Sequence, residues 1–316
     1  MRFFIITALF LISASVCFAQ RNPSMTGQLD DADREALYAR FTENKKVPVA
    51  ERQKLAYEAA RDYVKRYSSE QDSRLAEMRR FVKEYERVMG NFELHDAFTA
   101  KKYPKVFELG RASLKKDPEN FYVLALLTET GYKMAEAGDT SLSAETIDYA
   151  KRAIQIAESD KFTQPDPFAS VADARGFLNF VLGWFLRTQS PADADAAFVQ
   201  AVKSGAGVKD DPLTYNLLGI ALLKEYEKAA ADYNTNFGNK PPSPEQQSAL
   251  QHVLHTGERA IDAYARAIAL STKPEQQAAK AKMLTGLTDF YKSLHNNSDA
   301  GLNELIAGVL SKPLPE

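Results

Sequence analysis

His252 and His255 stand three residues apart, and Glu258 follows one further step along. On a helix, that spacing sets three side chains capable of holding a divalent metal along one flank. The same stretch divides cleanly into two faces. His252, His255, Arg259, Asp262 and Arg266 fall on one, and Val253, Leu254, Ile261 and Ile268 on the other. That division predicts a charged stripe facing water and an apolar stripe facing a core. A metal-dependent enzyme or binder at His252 and His255 is the alternative reading.

The other candidates for chemistry are sparse. His95, in Glu93-Leu94-His95-Asp96, reads as a surface residue near a helix junction rather than a catalytic base. His295 precedes Asn296-Asn297-Ser298, a turn composition, and is expected to help end a helix. Asp193 and Asp195 lack the glycine and the following glutamate of a calcium loop, so they read as charge favouring a helix N-terminus. The sequence contains no Gly-x-Ser-x-Gly elbow, no His-Glu-x-x-His helix and no Gly-Lys loop for phosphate. No catalytic residue, metal ligand or cofactor is therefore assigned. Phe180, Trp184 and Arg187 recur at spacings of four and three, so on a helix they share one face. An aromatic platform beside a cation is the kind of surface that dominates binding energy at protein interfaces. These three are candidate partner-binding residues, although Trp184 sits on a helix apolar almost all round and reads first as core.

Helical periodicity runs through almost the whole chain. Asp30 and Asp31 are expected to cap a helix that carries Leu37 and Phe41 and ends near Asn44. Pro48 then opens a second, striped by Leu55, Ala59, Tyr63 and Tyr67. Leu75, Met78, Val82, Tyr85 and Met89 mark a third, with Gly90-Asn91 as its stop. Further helices are predicted over 103–116, 121–137, a stretch around Ile147–Ala157, 168–188, 192–203, 213–234, one starting at Ser243-Pro244 and running to about 270, then 275–294 and 300–310, the last two expected to cover the exposed end of the stack. Within 213–270, Gly219 and Ala267 are small where two antiparallel helices should cross, while Tyr215, Leu218 and Tyr264 fill the space beside them.

The residues of that pair resemble the tetratricopeptide repeat family: Tyr215, Leu218, Gly219 and Leu222 on the first helix, and Ala260, Tyr264 and Ala267 on the second. Ala194, Phe198, Ala201 and Val202 repeat the spacing of Ala260, Tyr264, Ala267 and Ile268. Ser113 and Pro118 match the family's helix ending. The equivalent small residues at 113, 153, 201 and 267 lie 40, 48 and 66 positions apart, whereas the family period is about 34. The resemblance implies an all-α fold, a right-handed α-α superhelix of irregular helical hairpins, or α-solenoid. It also implies that the first helix of each pair, over 121–137, 168–188 and 213–234, lines a concave groove. Asn216 and Lys224 would join Phe180, Trp184 and Arg187 there as partner-binding residues. The lysine and asparagine pattern that some relatives use to clamp a peptide carboxylate is not reproduced, because Ile220 and Leu223 occupy the intervening positions. The partner implied is a protein or peptide segment.

The chain has 316 residues, 45% of them hydrophobic, and a formal net charge of -2. Neither that value nor the -3 left on removing Arg2 suggests nucleic acid or an anionic membrane surface as a partner. Met1-Arg2 followed by the apolar run Phe3 to Leu11 and small residues to Ala19 reads as a secretory signal peptide cut after Ala19. A lipoprotein anchored at Cys17 is the alternative, a poorer match because Ala14 and Val16 depart from the lipidation pattern. No later stretch is apolar over the ~20 residues needed to span a membrane. The organisation expected is a signal peptide at 1–19, a tether at 20–29, an N-terminal helical region at 30–91, helical repeats at 92–311 and a tail at 312–316. The function expected is that of an exported, non-enzymatic scaffold, periplasmic or secreted.

Overall fold

The computed structural model describes residues 23–315 apart from 70–72, 161, 164 and 239. The expected signal peptide at 1–19, Cys17 included, lies outside the described residues. Every regular element among the described residues is helical. The chain divides into two compact units, residues 1–89 and 90–316.

In the first unit, α1 (Pro23–Asn44) and α2 (Ala50–Arg66) pack as an antiparallel pair, and α3 (Ser73–Thr99) begins there. Phe41, Ala56, Ala60, Tyr63 and Met78 are fully buried and form its core. The α1 helix starts at Pro23, so part of the segment read as a tether is helical. Asp30 and Asp31 therefore lie inside a helix instead of capping one. Asp30 accepts hydrogen bonds from the Tyr67 hydroxyl through both its carbonyl, at 3.1 Å, and its carboxylate, at 3.2 Å. Gly90 does not stop α3, which continues to Thr99. A mid-helix glycine costs only about 1 kcal/mol, and Leu94 and Ala97 beyond it are buried in the core of the second unit.

The second unit continues with α4 (Tyr103–Lys116), α5 (Phe121–Glu136), α6 (Ser143–Ala157), α7 (Val171–Leu186), α8 (Pro191–Ser204), the short α9 (Ala206–Lys209), α10 (Pro212–Phe237), α11 (Pro244–Leu270), α12 (Gln277–Leu294) and α13 (Leu302–Gly308). Consecutive helices pack as neighbouring pairs, with α5 on α6, α7 on α8 and α10 on α11 the principal hairpins. Starts are fixed by side-chain caps: Asn120, Ser170, Asp211 and Ser243 each accept a hydrogen bond from a backbone N–H two or three residues on. Pro191, Pro212 and Pro244 occupy first turns, where a missing N–H costs nothing.

The hairpins share one packing device. A Cβ added at Gly219 on α10 would lie 3.0 Å from the Tyr264 ring on α11, and one at Gly183 on α7 would lie 2.9 Å from the Phe198 ring on α8. In both hairpins a Leu-Gly dipeptide on the first helix receives the aromatic face of the second. Ala201 and Ala267, three residues after each aromatic, are fully buried.

Candidate functional site

Between α10 and α12 runs a half-open groove of about 590 Å³, within the range of about 300–1,000 Å³ typical of binding sites. Topology makes the two helices run in the same direction, because each is antiparallel to α11. Ile220 and Leu223 line the α10 wall, Met283, Leu287 and Phe290 the α12 wall, and Tyr264 of α11 the floor. Phe290 is backed by Tyr226, packed edge-on against it with ring centroids 5.1 Å apart. One end is polar, with Asp211, Asn216, Ser271 and Gln276.

Most of those polar groups already have partners. The Asp211 carboxylate accepts from the Leu213 N–H at 3.0 Å, Gln276 Oε1 accepts from the Lys273 N–H at 3.1 Å, and the Ser271 hydroxyl donates to the Ala267 carbonyl at 2.7 Å. Asn216, Lys282 and the Tyr264 hydroxyl have no hydrogen-bond or ion-pair partner among the described residues. Burial, and secondarily the charge of Glu227, pushes the Tyr264 hydroxyl up to about 12, so it remains a neutral phenol at physiological pH. The groove thus offers apolar walls with one amide, one ammonium and one hydroxyl unspent. Leu213, 42% exposed, adds apolar surface at its mouth.

The residues singled out from sequence fall in different places. Asn216 lines the groove. Phe180 is 5% exposed and packs edge-on against Tyr132 and Phe198, so it is core and presents no face to a partner. Trp184 packs edge-on against Tyr132 and Phe185, and the Arg187 guanidinium lies over its ring at 3.8 Å. Arg187 also donates to the Trp184 carbonyl, and burial lowers its pKa. Much of the Arg187 side chain is therefore spent within the fold. Lys224 approaches the Arg187 carbonyl at 3.5 Å and faces a second crease of about 540 Å³, shared with Glu225, Lys228, Asp232 and His252. Sequence reasoning missed Lys282, Met283 and Phe290, because the final helices read as a cover for the end of the stack. The signal was present in the i, i+4, i+7 stripe of Met283, Leu287 and Phe290.

The expected solvated face of α11 is partly interior. Asp262 and Arg266 are 8% and 5% exposed and pair at 2.6 Å. Arg266 Nη2 also donates to the carbonyls of Lys312, at 3.0 Å, and Pro313, at 2.8 Å, while Leu314 packs on the core beneath. The segment read as a tail is docked. Arg259 pairs with Asp195 of α8 at 2.8 Å, so Asp195 bridges two helices rather than serving its own N-terminus. Asp193 stays in that first turn and accepts from the Ser190 hydroxyl. Glu258 pairs with His295 at 3.3 Å, and His295 stacks on Tyr291 as the C-cap of α12. No three metal-capable side chains gather among the described residues. His95 meets the Tyr122 hydroxyl at 3.0 Å through Nδ1. No helix among the described residues is long and apolar enough to cross a membrane.

No family model, no curated protein and no solved structure matches the chain.

Proposed function

We propose that the chain is an exported, non-enzymatic scaffold of tetratricopeptide-like hairpins, wound as a right-handed α-solenoid, which holds a segment of a partner protein between α10 and α12. The observation that carries this reading is the groove itself, with apolar walls and three unspent polar groups. Burying apolar side chains there would gain about 25 cal/mol per Å², and the unspent groups supply orientation. The hairpin reading is supported by the Leu-Gly and aromatic pairs shared by α7/α8 and α10/α11. Export is supported by the charged, apolar and small-residue order of residues 1–19. Asn216 belongs to the proposed contact, and Trp184, Arg187 and Lys224 lie outside it. No reaction is assigned to the chain.

The test is site-specific photocrosslinking of the full-length protein in its native cells. A photoreactive residue at Leu213 or Ala279, both lining the groove, should give an adduct of one discrete mass containing a second protein. The same residue at Leu254, exposed on α11 away from the groove, should not. Equal adducts from all three positions, or none from any, would remove the groove from consideration.

A further inference from the structure

We infer that the occupant of the α10/α12 groove is an amphipathic helix with an apolar stripe and an acidic residue opposite Lys282, an inference that rests on the binding role proposed above. Three features of the groove lead to it.

The first is its polar inventory. An extended segment brings a backbone N–H and C=O for every residue it lays down, and each left unpaired against apolar wall is penalised. The groove can answer with little beyond Asn216, Lys282 and the Tyr264 hydroxyl. A helix satisfies its own backbone and asks the walls only for packing.

The second is the relief of the α12 wall. Ala279, Met283 and Gly286 follow one another at spacings of four and three and line the groove together. A Cβ added at Gly286 would meet nothing within 4 Å. Glycine is disfavoured in a helix interior, so at this position it leaves open space at a cost to α12. Small residues seven apart with a large one between them make the notch into which a neighbouring helix fits at the usual ~8–10 Å axial distance. The α10 wall from Asp211 to Leu223 is roughly 18 Å long, about three helical turns.

The third is charge. Two charged groups line the groove: the Asp211 carboxylate, one oxygen of which caps α10, and the Lys282 ammonium on α12, which has no partner among the described residues. A carboxylate on the occupant can accept from Lys282, and at the rim such a contact gives register and selectivity more than affinity.

The probe is a displayed library of random 18-residue peptides, selected on the full-length protein and on two variants. Gly286→Leu puts a side chain into the notch, where a Cβ would meet nothing within 4 Å, and Lys282→Glu reverses an exposed charge. Both should melt no lower than the unaltered protein. The inference expects enriched peptides with apolar residues at i, i+3 or i+4, and i+7 and an Asp or Glu on the flank. Their binding should fall by about tenfold or more on Gly286→Leu, and selection on Lys282→Glu should replace the acidic residue with Lys or Arg. Enriched peptides that depend on Gly286 but alternate with period two would overturn the helix and leave the groove as a protein-binding site. If no peptide is enriched over Gly286→Leu, both readings fall. Stabilisation of the unaltered protein by dodecanoate, absent in Gly286→Leu, would then assign the groove to a small amphiphile.

Discussion

Gly219 and Gly286 make opposite claims on the same fold. At Gly219 the Tyr264 ring already occupies the place of a side chain, whereas Gly286 faces open space. Gly219→Leu should destabilise by about 1–3 kcal/mol through overpacking, and Gly286→Ala should stabilise by up to about 1 kcal/mol through helix propensity. Chemical denaturation of the two variants checks both signs. Glu225 gives a pH-dependent prediction. Its Oε1 is buried without a hydrogen-bond partner among the described residues, in a cluster with Asp195, Arg259 and Lys228. Burial first, and Asp195 second, raise its pKa above the ordinary glutamate value. The folded protein therefore binds this proton more tightly than the unfolded chain does. The resulting stability is fully present below the unfolded pKa and is lost as pH rises through the folded one. Glu225→Gln should accordingly raise the melting temperature at pH 7.5, with the difference from the unaltered protein shrinking towards pH 4.

Among the elements, α11 shows what local pattern can and cannot reveal. Its apolar stripe, its Ser243 cap and the close crossing with α10 at Gly219 were legible, because each depends on residues within a few turns or on a spacing of 3.6. The burial of Asp262 and Arg266 was not, because what covers them arrives 46 and 47 positions later, from Lys312 and Pro313. Phe180 was misplaced for a similar reason: its rotational position on α7 was clear, but Tyr132 on α5 decides that it faces inward. The continuation of α3 through Gly90 is set by Leu94 and Ala97, whose burial a one-residue stop signal does not report. Arg266→Ala leaves the Asp262 carboxylate buried without its partner and should cost about 3–5 kcal/mol. The double change Asp262→Leu, Arg266→Met removes both charges and should recover part of that loss. Equal destabilisation of the single and double variants would mean that the docked segment 312–314, rather than the ion pair, carries the stability.

At the level of the whole molecule, the second unit places apolar surface where successive hairpins need it and leaves the groove between α10 and α12 uncovered. The groove between α10 and α12 was half legible. The resemblance placed Asn216 on a groove-lining helix, but the opposite wall came from a helix read as an end cover. The direct measurement is hydrogen exchange along the full chain, alone and in complex with the protein captured by crosslinking at Leu213. Slower exchange should concentrate in residues 212–223 and 277–290, with little change over 244–256 or 50–66. Protection confined to the crease around Lys224, Asp232 and His252, or to the first unit, would contradict the assignment of the binding surface.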